Sequence, residues 1–145
     1  FSAAAPALVD EDEKNDKKGK AQRLTFPVEV HGSAADGDGG KIKIDFGAPG
    51  TARIHDLYRF TVTTTGTFVI ALDPISGSGD MDLYLLDGSF EGKKIPIASS
   101  VILGTSTSPE ASELVAAKLV AGTYYIGVSA FQGSFNYRLR IISSQ

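Results

Sequence analysis

The chain has no cysteine and only two histidines. The missing thiols exclude disulfide frameworks, thiolate zinc sites, iron–sulfur ligation and cysteine nucleophiles together. Any metal must therefore be held by oxygen or by His. His31 and His55 are too far apart for a His-x-x-x-His zinc helix, and their flanks read as strand. A Gly-x-Ser-x-Gly elbow is missing, because Ser76 and Asp80 flank Ser78 at the glycine positions. Gly77-x-Gly79 lacks the third glycine and the helix of a phosphate loop. With no catalytic constellation in view, the chain reads as a non-enzyme.

Excess positive charge is missing too. The 14 basic and 17 acidic side chains leave a net charge of −3, which offers no long-range attraction to a phosphate backbone and argues against nucleic acid as a partner. No apolar run approaches the roughly 18 residues that span a bilayer, so membrane insertion is not expected and the sequence predicts a soluble domain. At 145 residues the chain fits one domain large enough to fold around its own core.

What the sequence does contain is alternation with a period of two. Phe26, Val28 and Val30 share a face; Ile42, Ile44 and Phe46 alternate with Lys41, Lys43 and Asp45. The pattern continues in Tyr58-x-Phe60-x-Val62, Phe68-x-Ile70-x-Leu72, Leu83-x-Leu85, Tyr124-x-Ile126-x-Val128 and Phe135-x-Tyr137-x-Leu139-x-Ile141, with a weaker run around Ile95 and Ile97. Such runs are half-buried strands. Glycine-rich pieces between them read as turns: His31-Gly32, Asp36 to Gly40, Pro49-Gly50, Thr65-Gly66, Ser76 to Gly79, Ala121-Gly122 and Gln132-Gly133. About eight short strands at this spacing predict an all-β sandwich or barrel. Glu110 to Lys118 has helix-forming composition after Ser108-Pro109, yet Leu114 and Ala116 alternate with Val115 and Ala117 and a turn and strand follow. It is read as a strand.

The N-terminal region divides in two. Residues 1–9 are Ala/Pro-rich; Ala3-x-Ala5 and Ala5-x-Ala7 fit either a signal-peptide remnant or a linker. Residues 10–23 form a charged arm, which composition alone makes disordered, ahead of a sandwich domain over 24–145.

Within the arm Glu11, Glu13, Asn15 and Asp16 concentrate oxygen donors of the kind calcium takes. Two readings stand: a calcium site, or a solvated charged arm. Asp36 and Asp38 imitate the start of an EF-hand loop but have Lys41 and Gly47 where the turn glycine and final Glu belong, and are read as a hairpin loop. Asp80 and Asp82 share a strand face, as an acid–base or metal pair would; the simpler reading has them fixing the Ser76–Gly79 turn through bonds to backbone. Tyr124 and Tyr125 point to opposite faces. One serves the core, and Tyr125 is expected either to pack or to join Tyr84 and Phe131 on a binding surface.

Five segments, in order, resemble the bacterial pre-peptidase C-terminal domain family. They are Glu11-x-Glu13-Lys14-Asn15-Asp16 with Ala21-Gln22-x-Leu24, Asp56-Leu57-Tyr58-Arg59-Phe60, Asp80-Met81-Asp82-Leu83-Tyr84-Leu85, Ala121-Gly122-Thr123-Tyr124-Tyr125-Ile126-x-Val128, and Phe135-Asn136-Tyr137-Arg138-Leu139. The resemblance runs from about residue 10 to the end and extends to the collagen-binding modules of bacterial collagenases. It implies a jelly-roll-like antiparallel β-sandwich. It also implies that Asp56 joins the arm's oxygens in a calcium site, although Arg53-Ile54-His55 stands where those relatives place a further acid.

The function so implied is a non-catalytic accessory module of a secreted bacterial protein, exported, displayed at the cell surface or periplasmic. Its expected partners are a neighbouring catalytic domain or an extracellular polymer or protein, and its role is attachment to substrate or matrix, or stabilisation and secretion of that neighbour. The alternative is a cell-surface or envelope packing domain with no soluble ligand.

Overall fold

The structure, a computed structural model, describes residues 7–11, 15, 18–36, 42–47, 51–90, 94–106 and 112–143. Its strands are β1 (Ala7–Asp10), β2 (Gln22–Arg23), β3 (Val28–Ala35), β4 (Ile42–Asp45), β5 (Thr51–Ile54), β6 (Asp56–Val62), β7 (Gly66–Asp87), β8 (Lys94–Pro96), β9 (Ile102–Ser106), β10 (Glu113–Leu119) and β11 (Gly122–Ser143). A 3-10 turn spans Lys18–Lys20. Among the described residues no helix is long and apolar enough to cross a membrane.

The frame is the pairing of β7 with β11, which are 22 residues each and run antiparallel from Tyr124↔Asp87 to Ser143↔Phe68. Their two ends belong to different layers. The first half of β11 pairs with β6, and the adjoining end of β7 pairs with β9. The second half of β11 pairs with β3, and the start of β7 pairs with β10. Strands that pass from one layer to the next need a bend, and the ladder slips register between Ala130 and Gln132 and again between Asn136 and Tyr137.

The main core lies between these layers. Tyr58, Phe60 and Val62 of β6, Leu83 and Leu85 of β7, and Ile126 and Val128 of β11 meet Val28, Val30, Phe68, Ile70, Leu72, Leu139 and Ile141 there, all essentially inaccessible. Each such burial contributes about 1.5–3 kcal/mol of transfer free energy. These are the alternating residues of the sequence, now facing one another.

A second core was not foreseen. On the other face of the β6/β11/β7 layer, Leu57, Tyr84, Leu86 and Tyr125 pack against Ile42, Ile44, Ala52, Ile54 and Ile95 of a three-stranded sheet ordered β5-β4-β8. The central layer is thus dry on both sides, which is why Met81 to Leu86 is buried at every position rather than at every second one.

Other expectations are corrected as well. The sandwich is mixed rather than wholly antiparallel, since β1 with β3, β2 with β6 and β4 with β8 run parallel. Strand β1 lies where a linker was expected. Ser76 to Gly79, Gln132-Gly133 and His31-Gly32 are not turns but lie inside β7, β11 and β3. Glu113 to Leu119 is a strand, as its alternation suggests, with Val115 and Leu119 inward and Leu114 exposed. Asp38 and Lys41 of the imitation EF-hand loop lie outside the described residues.

Glycine at the bend is a steric requirement. Gly133 stands opposite Gly79 in the ladder with φ of 88°, and a Cβ there would sit 2.0 Å from the Ser78 carbonyl oxygen. Gly77, with φ of 106°, would place one 2.1 Å from the Ser134 carbonyl oxygen. Gly133→Ala should therefore cost about 1–3 kcal/mol from backbone conformation alone, with the clash added. Gly19→Ala, where a Cβ meets nothing within 4 Å, should stay within about 0.5 kcal/mol of wild type. Urea midpoints check both, and equal midpoints for the two variants would contradict this account of the bend.

Candidate functional site

The charged arm is attached to the sandwich at successive points. Strand β1 pairs in parallel with β3, and the Glu11 N–H continues the ladder by donating to the His31 carbonyl at 2.9 Å. The Glu11 side chain then lies over Gly32 and accepts from the Ser33 N–H through Oε1 at 2.8 Å. That approach needs a residue without a side chain: a Cβ at position 32 would lie 2.6 Å from the Tyr137 ring and 2.8 Å from Glu11 Oε1.

Asn15 comes next and is almost fully buried. Its carbonyl accepts from the Leu57 N–H at 2.7 Å, locking the arm to the start of β6. Its side-chain amide nitrogen donates to Glu11 Oε2 and Asp56 Oδ1 at 3.2 Å each. Further along, Lys18 Nζ donates to the carbonyls of Gly88 at 2.9 Å and Phe90 at 2.6 Å and lies 4.6 Å from the centre of the Phe90 ring. Composition made this arm disordered; at Glu11, Asn15 and Lys18 it is held instead.

Asp56 begins β6 and is buried. Its Oδ2 accepts from the Tyr137 hydroxyl at 2.7 Å, and Tyr137 in turn shares a 2.5 Å hydrogen bond with the Tyr58 hydroxyl. Burial first, then the neighbouring Asp56 and Glu11 charges, push the Tyr58 hydroxyl well above its usual range. Burial also dominates at Tyr137, followed by Tyr58, Asp56 and Glu11. Both phenols therefore stay protonated and serve as donors.

The result is a pair of carboxylates, Glu11 and Asp56, each with one oxygen fixed by a protein donor and the other turned toward Asn15. Of the arm residues singled out by sequence, Glu11 and Asn15 meet Asp56 here, while Glu13 and Asp16 lie outside the described residues. The proposed binding surface is corrected: Tyr84 and Tyr125 are buried in the second core, and Phe131 alone of the three is exposed, at 48%. Tyr137, Tyr58 and Gly32 were missed. The available signal was that two tyrosines at core positions of separate strands each need a partner for a buried hydroxyl.

A second acidic group lies on β7. Asp80 and Asp82 do not anchor a turn, because the segment before them is strand; instead they converge with Glu113 of β10, their oxygens all within 4.8 Å of one another. Burial, then Asp80 and Glu113, pushes the Asp82 carboxyl up to about 7. Burial also raises Asp80.

A carboxyl with a raised folded-state pKa binds its proton more tightly folded than unfolded, so folding is favoured while it is protonated and opposed once it ionises. In chelating buffer, the Asp82 contribution should be fully favourable below about pH 4, the unfolded carboxyl's range, and should be lost as pH rises to about 7. Urea midpoints across this range check it. The Asp82→Asn variant should lose most of that decline; a profile parallel to wild type would mean Asp82 ionises as it does in the unfolded chain.

The family model described as the bacterial pre-peptidase C-terminal domain matches residues 55–130, more than half of the chain. Among solved structures, the pre-peptidase C-terminal domain of a collagenase from Bacillus anthracis is similar with a TM-score of 0.60 and 19% identity, covering 88% of this chain and all of that one. That is a likeness of fold. A carbohydrate-binding module of a Cellvibrio mixtus lichenase, solved with cellotriose, has a TM-score of 0.36 at 15% identity over 71% of this chain and 85% of its own, too distant to carry an argument. No curated protein matches. The matched segment contains the Asp56 strand, all of β7, the first part of β11 and the acidic group on β7, and this chain belongs to the bacterial pre-peptidase C-terminal domain family.

Proposed function

We propose that this chain is a non-catalytic accessory module of a secreted bacterial protein, carried beside a catalytic domain, in which a calcium ion closes the N-terminal arm onto the sandwich. The observation that carries the reading is the Asn15 amide between two carboxylates. With nitrogen inward it satisfies Glu11 and Asp56 unaided; with oxygen inward, three oxygen donors face one another and need a cation among them. Asn15 thus has one orientation suited to each state of occupancy.

The donor set fits the ion. Glu11, Asn15 and Asp56 supply only oxygen, the chemistry a hard cation takes, and Glu13 and Asp16 are the next candidates in the arm. Calcium would add a positive charge between the Glu11 carboxylate and the buried Asp56 carboxylate. The Tyr58–Tyr137–Asp56 chain fixes where one of them points. The family supports the accessory role, and the presence in a collagenase of a domain of this fold supports a peptidase as the neighbour.

Aromatic attachment to a polymer draws less support, since two of its three members are core residues. Stabilisation of a neighbouring domain through an arm that stiffens when calcium is present accounts for more of what is seen.

Calcium at a hundredfold excess over its Kd should raise native stability by about 2.7 kcal/mol. Hydrogen exchange localises the effect: the Glu11 and Leu57 amides, bonded to His31 and Asn15, should gain protection in calcium over chelator. Glu11→Gln and Asp56→Asn should abolish that gain. Unchanged exchange at both amides in saturating calcium would retire the clamp.

A further inference from the structure

Strand β7 has one edge covered along its length by β11, while its other edge is shared between β10, over Gly66 to Leu72, and β9, over Leu83 to Leu86. Asp80 and Asp82 stand where the two coverings adjoin, and Glu113 reaches them from the first position of β10. Asp82 and Glu113 are each 3% exposed. One Glu113 oxygen accepts from the Ser106 hydroxyl, which in turn accepts from the Leu114 N–H at 3.2 Å. No ion pair among the described residues includes Asp80 or Asp82, and an Oδ1 of each is buried without a hydrogen-bond partner.

Carboxylates alone would not make a site, but two neutral side chains leave the same face of the sheet as Asp82. Ser129 is the ladder partner of Asp82, so their side chains leave the same face of the sheet about 4.5–5.5 Å apart at Cβ. Tyr84 lies two residues beyond Asp82 on that face, close enough that Asp82, Asp80 and Glu113 each add to burial in opposing its ionisation. Both hydroxyls are wholly inaccessible, and neither has a hydrogen-bond partner. Buried hydroxyls without partners are unfavourable. Two of them beside unpaired carboxylate oxygens mark a place built for something that takes oxygen ligands.

We propose that Asp80, Asp82 and Glu113 bind a second divalent cation of calcium size, with the Ser129 and Tyr84 hydroxyls as the neutral oxygens beside it, independently of the arm. Oxygen-only donors with carboxylates in the majority suit a hard cation, and the spacing admits calcium. Oxygens on opposite sides of a calcium ion stand about 4.6–5.2 Å apart, against about 4.0–4.2 Å for magnesium. One oxygen from each carboxylate lies within 4.8 Å of the others, so all three can reach one ion of calcium size. Such an ion would join β7 to β10 at the gap between the two edge coverings, as the arm's ion joins β1 to β6.

The test uses the whole chain carrying Glu11→Gln and Asp56→Asn, which disable the arm cluster. Titrated with calcium, this variant should still bind one ion, with magnesium at least tenfold weaker. Adding Asp82→Asn should abolish that binding while leaving the chain no less stable in chelator, because a buried charge has been removed. If the double variant does not fold, wild type and Asp82→Asn are compared by calorimetric stoichiometry. The single variant should lose one ion, and calcium should move the wild-type backbone amide resonances of Asp82, Tyr84 and Ser129. No ion in the folded double variant, or an undiminished stoichiometry in Asp82→Asn, overturns the proposal. An arm clamp that fails leaves this result untouched, since its readout is exchange at Glu11 and Leu57.

Discussion

Two antiparallel strands of 22 residues, paired along almost their whole length, are the constraint from which the rest of this fold follows. Because β7 and β11 bend together from one layer into the next, each of their halves gathers different neighbours, and the space enclosed at the bend becomes the main core. The bend demands glycine on both strands, and Gly79 opposite Gly133 supplies it with backbone in place of side chains. Once that frame exists, β3 brings Gly32 beneath the arm while β6 brings Asp56, and the two halves of the candidate calcium site face each other across Tyr137.

The same bend explains why polar groups are buried at the edges of the core. Where β7 passes between β10 and β9, acidic side chains are enclosed that would be solvated on a flat strand. Where β1 is laid on β3, a backbone ladder carries Glu11 to Gly32, and a backbone bond from Leu57 holds the buried Asn15. Bringing carboxylates together away from water is unfavourable by several kcal/mol in ordinary circumstances. The fold does so at two places, and the hydrogen-bond donors described at both are neutral groups. That shared chemistry connects an accessory role with dependence on a divalent ion.

Much of the sandwich was legible because period-two alternation states directly which residues share a face. Tyr58, Phe60 and Val62, or Phe68, Ile70 and Leu72, needed no long-range information. What failed were readings that depend on it. Ser76 to Gly79 has the composition of a turn, and only the glycine opposite it, more than fifty residues later, makes it a bend within a strand. Tyr84 and Tyr125 could be read either as packing or as surface aromatics, because a second sheet over that face has no local signature in their own strands. Glu11, Asn15 and Asp56 were picked out by chemistry and by family likeness. The Tyr137–Tyr58 chain beside them was not, since a tyrosine at a core position reads first as bulk.

Crystals of the whole chain grown in saturating calcium, and in chelator, would test the central claim most directly through the Asn15 side chain. The account predicts a calcium peak enclosed by Glu11, Asp56 and an inward-facing Asn15 Oδ1, with the amide reversed and its nitrogen between the two carboxylates once the ion is removed. An arm ordered identically in both crystals, with nitrogen inward and no ion among these residues, would contradict it.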